Sequence, residues 1–352
     1  MNYIKSLDGV RALAIALVIL FHLGLFLPGW VGVQLFFVLS GYLITSILLT
    51  ERKQSLGDYL RRFYWRRSLR IFPLYFTFLA VASVVFAMTG LPSSFGADRI
   101  FLFTYTTNFG RLLEKDIGPT FVHFWSLAVE EQFYLIWPLL VWMAPRPLFK
   151  LLVILLIVLT PLARFLLYLL FAGHDDDWIG RNIYSITFSQ FDAFAIGAAI
   201  SLWKLYEWKR AALLAASLTA LAATLGLSVL IYQHIAYRAA IKWSFGYSMY
   251  LMPGYGFVWG YSIINLLSAS LIVLAMQRHW TCRPLEWGPV VHVGRISYGL
   301  YVLHMPVLRL VNEVPLANVT RELLFGIVLI ASAHLSFRYL EKPFLKWKSL
   351  VQ

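Results

Sequence analysis

The chain has 352 residues, of which 60% are hydrophobic and only 13% are charged, and its mean hydropathy is +0.71. Ordinary soluble domains are about 45–50% apolar and about 25% charged, so this composition excludes a soluble enzyme and a disordered tail. The formal net charge of +13 would suggest nucleic acid in a soluble protein. Here most basic residues lie in short segments between apolar stretches, so membrane topology explains the charge and no nucleic-acid partner is expected.

Apolar runs along the chain predict membrane-spanning helices. A helix needs about 20 apolar residues to cross a hydrocarbon core of about 30 Å. The predicted spans are 10–27, 31–50, 71–90, 124–144, 148–172, 183–203, 211–232, 257–276, 292–312 and 322–340. We therefore expect an all-α polytopic membrane protein with about ten transmembrane helices. It would form a single domain over 1–345 with a short cytoplasmic tail at 346–352 and no appended soluble domain.

The distribution of basic residues orients these spans. With the N-terminus inside, the predicted cytoplasmic segments hold 19 of the 30 Lys and Arg residues, and the opposite loops hold eight. Cytoplasmic loops carry an excess of basic residues. Both termini are therefore predicted to be cytoplasmic, in a multi-pass protein of the inner or plasma membrane. We expect the first span to be a retained helix and not a signal peptide, because Arg11 and His22 interrupt it and Pro28-Gly29-Trp30 follows where a small-residue cleavage site would be expected.

Arg11 and His22 are the first candidates for chemistry. They are eleven residues apart, which is about 16.5 Å along a helix and only about 20° from a common face. A guanidinium is a permanent donor to phosphate or carboxylate, and a neutral imidazole accepts a proton near pH 7. One stripe of the helix would thus hold an anion site and a proton acceptor. The alternatives are that Arg11 only anchors the helix at the cytoplasmic membrane surface and that His22 is a hydrogen-bonded packing residue.

A second cluster of arginines precedes the third predicted span. Arg66, Arg67 and Arg70 lie in the segment 63–73, which ends a basic loop, and Pro73 suits the first turn of the helix that follows. Such a cluster would clamp a nucleotide-like phosphate that arrives from the cytoplasm. Its alternative role is attraction to anionic lipid headgroups.

Further polar residues fall inside the predicted spans. Burying an ionisable group in the membrane costs free energy, so each such residue is a candidate for function. Glu130 and Glu131 lie near the outer start of the fourth span on faces about 100° apart, so at most one readily shares a cavity with His22. The alternative is a structural role, with Ser126 as the helix cap. Asp192 and His304 are candidates as well. His304 either forms a second polar wall of the cavity that holds His22 or is a packing residue.

Other kinds of site find no support in the sequence. The single cysteine, Cys282, forms neither an intramolecular disulfide nor a zinc site by itself. The chain contains no H-E-x-x-H motif, no P-loop and no dinucleotide glycine fingerprint. No metal is therefore expected.

Short motifs follow one another along nearly the whole chain. They are Leu7-Asp-Gly-Val-Arg11, His22, Phe36-Phe-Val-Leu-Ser-Gly-Tyr-Leu43, Arg67-Ser-Leu-Arg-Ile-Phe-Pro73, Trp125-Ser-Leu-Ala-Val-Glu130, Phe191-Asp192, Gly294-Arg-Ile-Ser-Tyr-Gly-Leu-Tyr-Val-Leu-His304 and Glu341-Lys-Pro343. Their order resembles that of the membrane-bound acyltransferase-3 family. Each motif is weak alone, but their common order makes the resemblance specific.

The resemblance implies a ten-helix membrane enzyme that takes an acyl group, commonly acetyl, from coenzyme A. The acceptor would be a hydroxyl of a carbohydrate, a lipid-linked glycan or a small glycoside, in contact with membrane lipid. The family's donor-binding arginines correspond to Arg11, Arg67 and Arg70, and its catalytic histidine and carboxylate correspond to His22 and Glu130. The candidate substrate contacts are Trp125, Asp192 and His304.

The expected mechanism places the phosphates of acetyl-CoA, or another acyl-CoA, on the cytoplasmic arginines and the thioester near His22. His22 would act as general base, with Glu130 orienting the imidazole, and an acyl-histidine intermediate is a variant. A separate protein is a possible acyl acceptor. The rival hypothesis is a non-enzymatic transporter or flippase for glycans or lipid-linked sugars, in which the same charges line a path.

Overall fold

The computed structural model describes residues 3–89, 94–115, 117–118, 120–237, 244–315 and 317–350. This part of the chain is helical and contains no named β-strand. The α-helices are α1 (Lys5–His22), α2 (Val31–Glu51), α3 (Leu56–Thr89), α4 (Ser94–Phe103), α5 (Thr107–Leu112), α6 (Phe124–Met143), α7 (Arg146–Leu170), α8 (Asp176–Ser185), α9 (Phe191–Leu202), α10 (Ala211–Tyr237), α11 (Gly256–Met276), α12 (Gly288–Arg295), α13 (Ser297–Asn312), α14 (Asn318–Ser336) and α15 (Lys342–Lys346).

Several helices are long and apolar enough to cross a membrane. Among the described residues there are six: Leu27–Glu51, Leu56–Val85, Arg146–Leu170, Ala211–Ala236, Pro253–Met276 and Asn318–Lys346. A seventh results if α8 and the segment Thr187–Leu202, which are bent by 68°, form one span. The predicted all-α polytopic class is confirmed. The number of ten spans and the cytoplasmic termini stay predictions.

The structure corrects the beginning of the third helix. α3 begins at Leu56, well before the predicted start at residue 71, so the arginine cluster lies inside the helix and not in a loop. Pro73 is an interior residue of α3 and not part of its first turn. A search for apolar runs misses this extension because charged residues continue a helix without contributing hydropathy. An interior proline frees one carbonyl, which neighbouring groups satisfy in membrane helices.

The chain divides into two compact units. Unit 1 contains Met1–Leu49 and Met143–Arg295, and unit 2 contains Thr50–Trp142 and Ile296–Gln352. Each unit is thus assembled from two separate stretches of sequence. The predicted ninth span, 292–312, crosses the division, because it is broken at Ile296 into α12 and α13.

In unit 1, α2 and α9 approach each other closely at two glycines. A Cβ at Gly41 would overlap the backbone of Phe194, and a Cβ at Gly197 would overlap the backbone of Val38. Small residues at helix contacts allow backbones to approach in membrane proteins. Gln34 strengthens the contact by donating to the side-chain oxygen of Gln190 at 2.9 Å.

In unit 2, tyrosine hydroxyls join α3 to its neighbours. Buried Tyr59 on α3 donates to the carbonyl of Pro138 on α6 at 3.1 Å. Tyr298 on α13 donates to the carbonyl of Ile71 on α3 at 2.8 Å. Because these hydroxyls occupy backbone acceptors, α3, α6 and α13 are fixed relative to one another. These three helices carry most of the polar residues of unit 2 that the motifs single out.

Candidate active site

In unit 1, α1 presents both Arg11 and His22, since it is continuous from Lys5 to His22. His22 is the last residue of the helix, and its Nδ1 lies 2.9 Å from the carbonyl oxygen of Val18. This contact assigns the proton of the neutral ring to Nδ1, so Nε2 is the basic nitrogen. The ring of Phe21 packs edge-on against the imidazole at 5.3 Å. His22 therefore has the tautomer that a proton acceptor at Nε2 requires.

Arg11 belongs to a cluster of charges around a buried carboxylate. It forms an ion pair with Asp8 one turn earlier. The other oxygen of Asp8 accepts a hydrogen bond from the Tyr3 hydroxyl at 2.8 Å and lies 3.7 Å from Nε of Arg295. Two guanidinium groups thus share one carboxylate, and a net positive charge remains. Sequence reasoning missed Asp8 and Arg295, although they belong to the Leu7–Arg11 and Gly294–His304 motifs.

Asp192 lies in a fully buried ion pair. Its Oδ1 is 2.5 Å from Nη2 of Arg164, and both side chains have 0% exposure. Its Oδ2 accepts from the hydroxyl of Ser262 at 2.6 Å, and Arg164 also donates to the carbonyl of Ser189 at 2.6 and 2.9 Å. The pair joins α7, α9 and α11. A substrate that binds Asp192 would have to compete with Arg164, and this role stays a prediction.

In unit 2, the structure brings Arg67 and Glu130 together through a residue that sequence reasoning missed. The guanidinium carbon of Arg67 lies 4.9 Å from the centre of the Tyr134 ring. The Tyr134 hydroxyl donates to Oε1 of Glu130, one turn earlier on α6. The only sequence signal for Tyr134 was its position four residues after Glu130, which places both on one helical face.

Three arginines of α3 each interact with a carboxylate of unit 2. The pairs are Arg66 with Glu51, Arg67 with Glu131 and Arg70 with Glu341. The first is a direct ion pair of 2.5 Å, and the other two are electrostatic interactions. Glu341 is buried and accepts from the Ser336 hydroxyl at 3.2 Å. Glu131 therefore interacts with Arg67, which the motifs single out, whereas Glu130 interacts with Tyr134, which they do not.

His304 and Trp125 are buried in unit 2. Nδ1 of His304 lies 2.6 Å from the carbonyl oxygen of Tyr301, and its ring is 4.6 Å from the ring of His123. The Ser126 hydroxyl bonds to the Tyr301 hydroxyl and donates to the His123 carbonyl at 3.1 Å. α6 begins at Phe124, so Ser126 lies inside the helix and the expected cap is wrong.

The expected site residues are distributed over both units. Unit 1 holds Arg11, His22 and Asp192, and unit 2 holds Arg67, Arg70, Trp125, Glu130 and His304. The described part of the chain holds no group of three or more His, Cys, Asp or Glu residues that fits a metal ion. Unit 1 provides a charge cluster that can attract an anion and a histidine with a defined basic nitrogen, and unit 2 provides arginines near carboxylates.

Comparison with known proteins identifies relatives along almost the entire chain. Residues 4–338 match the family described as "Acyltransferase domain". The peptidoglycan O-acetyltransferase OatA of Listeria monocytogenes is 30% identical over 98% of this chain and 56% of its own length. The putative peptidoglycan O-acetyltransferase YrhL of Bacillus subtilis is 30% identical over 97% of this chain and 55% of its own. The O-acetyltransferase OatA of Staphylococcus aureus is 26% identical over 98% of this chain and 58% of its own.

The chain therefore spans somewhat more than half the length of these curated relatives. No solved structure matches it with significance. Neither the family nor the relatives support the transporter or flippase hypothesis. The family match covers both units, and the resemblance of the motifs is confirmed. The chain belongs to the acyltransferase family.

Proposed function

We propose that this protein is a multi-pass membrane O-acetyltransferase that acetylates a hydroxyl of a cell-envelope glycan, and that peptidoglycan is the first acceptor to test. The observation that carries the proposal is the acyltransferase match over 4–338, together with relatives named as peptidoglycan O-acetyltransferases. The helices with membrane-spanning length fit a location in the inner or plasma membrane.

The proposed donor is acetyl-CoA, with Arg11, Arg67 and Arg70 as partners for its phosphates. Guanidinium groups bind phosphate through two parallel hydrogen bonds, which a lysine does not reproduce. All three arginines are at least partly accessible on their helices. Arg11 already has an internal counter-ion in Asp8, which the phosphates would displace.

His22 is the proposed general base. Its Nε2 takes the proton of the acceptor hydroxyl while that oxygen attacks the thioester carbonyl. The carbon–sulfur bond breaks, and the coenzyme A thiolate leaves and takes up the proton from the imidazolium. Glu130 is the proposed second catalytic group. In the variant mechanism, Nε2 attacks the thioester carbonyl itself, the carbon–sulfur bond breaks, and coenzyme A leaves as the thiol with the proton that Nδ1 gives up. The acceptor hydroxyl then attacks the acyl-histidine, its proton passes to the imidazole, and the carbon–nitrogen bond breaks, which predicts ping-pong kinetics. A separate acyl-accepting protein would then be a further acceptor.

Acetyl transfer by the purified chain tests the role of His22. Coenzyme A release from acetyl-CoA is measured with peptidoglycan fragments as acceptor, and mass spectrometry identifies the acetylated product. His22→Ala is expected to lower turnover by about 10²–10⁴, which is the usual contribution of a general base. His234→Ala, an exposed histidine of α10 in the same unit, is the control and should keep full turnover. Near-normal turnover of His22→Ala would contradict the proposal.

Coenzyme A binding tests the arginines separately from the chemistry. Arg67→Lys and Arg70→Lys keep the charge but lose the planar fork, so each should raise the Kd for coenzyme A by about tenfold. Arg61→Lys is the matched control, because Arg61 is exposed on the same helix and outside the proposed set. Unchanged binding in both variants would favour the alternative role of these arginines at lipid headgroups.

A further inference from the structure

Tyr134 occupies a position between two of the proposed functional groups. It is only 4% exposed and lies on α6, one turn after Glu130. Its hydroxyl donates to the carboxylate of Glu130, and its ring face lies 4.9 Å from the guanidinium carbon of Arg67. One side chain therefore touches both a proposed donor-binding residue and the proposed catalytic carboxylate. All three residues belong to unit 2.

The two contacts of Tyr134 reinforce each other. A cation over an aromatic face is attracted by the ring's quadrupole, most strongly where water is excluded. The same positive charge withdraws electrons from the phenol, so its hydroxyl becomes a better donor to the carboxylate. A hydrogen bond to an ionised acceptor is roughly twice as strong as a neutral one. The position of Arg67 and the orientation of Glu130 are thus linked through one rigid ring.

Space filling alone does not account for this arrangement. A phenylalanine would fill the same volume, whereas a buried hydroxyl needs a partner. Most buried tyrosines of this unit use a backbone carbonyl as that partner; Tyr59 and Tyr75 do so. Tyr134 instead uses the carboxylate of the Trp125–Glu130 motif. Its hydroxyl therefore fixes the rotamer of a side chain proposed to act in the reaction.

We propose that Tyr134 is a positioning residue that couples occupation of Arg67 by the anionic donor to the orientation of the Glu130 carboxylate. When phosphate draws the guanidinium away from the ring, Tyr134 shifts and the carboxylate shifts with it. The inference rests on the proposed function, since it takes the donor and the role of Glu130 from there. Tyr134 itself does not touch the reacting atoms.

Two substitutions separate the two contacts of Tyr134. Tyr134→Phe keeps the ring beside Arg67 and removes the hydroxyl, so the Kd for coenzyme A should stay within about twofold. Its kcat should fall by at least about tenfold, the effect of losing a hydrogen bond to a charged group. Tyr134→Leu also removes the ring, so it should weaken coenzyme A binding as well. The control is Tyr64→Phe, because Tyr64 donates to the Leu135 carbonyl at 2.9 Å and should leave both values unchanged.

Infrared difference spectroscopy tests the coupling without turnover. Coenzyme A, or inorganic triphosphate as an anion without an acyl group, should shift a carboxylate stretching band of the purified wild-type chain. The shift should be absent in Tyr134→Phe and in Glu130→Gln. An unchanged shift in Tyr134→Phe, no shift in the wild type with either anion, or a Tyr134→Phe enzyme with wild-type kcat would overturn the inference. If the wild-type chain shows the carboxylate band shift but no turnover of acetyl-CoA, the proposed function is contradicted and the coupling through Tyr134 is not.

Discussion

The role of Asp192 depends on its ion pair with Arg164, which lies on a different helix. The sequence marks Asp192 as a polar residue inside a span, and the structure adds the guanidinium of Arg164 at 2.5 Å. An ionised group inside a membrane protein needs such a partner because removal from water is costly. Asp192 therefore supplies the counter-ion of a buried guanidinium in unit 1, whatever it contributes to substrate binding.

Removing one charge of this pair is expected to destabilise the protein strongly. Asp192→Asn leaves a buried guanidinium without its counter-ion, at a cost of about 3–5 kcal/mol. The melting temperature in detergent should fall accordingly. Asp177→Asn is the control, because its pair with Arg181 at 2.7 Å is exposed and such pairs contribute about 0–1 kcal/mol. An unchanged melting temperature in Asp192→Asn would show that the pair is not a structural requirement.

The single cysteine is expected to react slowly in the folded protein. Cys282 is buried in the connection between α11 and α12, and burial raises the pKa of its thiol. A raised pKa lowers the thiolate fraction at neutral pH, and the thiolate is the reactive form. Alkylation by iodoacetamide should be slow at pH 7, accelerate as the pH rises past the ordinary thiol range, and become fast in denaturing detergent. Equal rates for folded and unfolded chains would contradict this.

At the scale of elements, close helix contacts depend on particular small residues. The approach of α2 to α9 has no space for a side chain at Gly41. Gly41→Val should therefore force the helices apart and lower the melting temperature and the yield of folded protein. Gly57→Ala is the matched control, because a Cβ there meets no atom within 4 Å. A Gly41→Val protein as stable as Gly57→Ala would mean that the two helices separate without cost.

The helix that carries the arginine cluster shows where sequence patterns fail at this scale. Hydropathy predicts the apolar part of α3 but places its polar beginning in a loop. Backbone hydrogen bonds continue through charged residues, and contacts such as the ion pair between Arg66 and Glu51 hold that part in place. As a consequence, Arg67 and Arg70 are presented from a rigid element and not from a flexible connection.

For the whole molecule, the loop charges predict which segments face the cytoplasm. Lys53→Cys, in the basic connection before α3, should be protected from a membrane-impermeant maleimide in intact cells. Asp176→Cys, at the start of α8, should be labelled under the same conditions. Both positions are exposed, so protection reports sidedness and not burial, and buried Cys282 should contribute little background. The reverse pattern would place the termini outside.

The proposed mechanism draws residues from both compact units. His22 and Arg11 belong to unit 1, and Arg67, Arg70 and Glu130 belong to unit 2. The expectation that the two units work as one domain over 1–345 stays a prediction, as does the direct cooperation of His22 with Glu130. The kinetic variants of His22 and Tyr134 address one unit each, so together they test whether both contribute to turnover.

The sequence by itself determined the class of the protein, the approximate positions of most helices and the family. Hydropathy and motif order are local properties, and they also selected Arg11, His22, Arg67 and Glu130. Only the tertiary structure decided how these groups are paired: Asp8 with Arg11 and Arg295, Arg164 with Asp192, and Tyr134 between Arg67 and Glu130. Most of these partners lie on different helices, and no periodicity within one helix specifies which face of another helix it will meet.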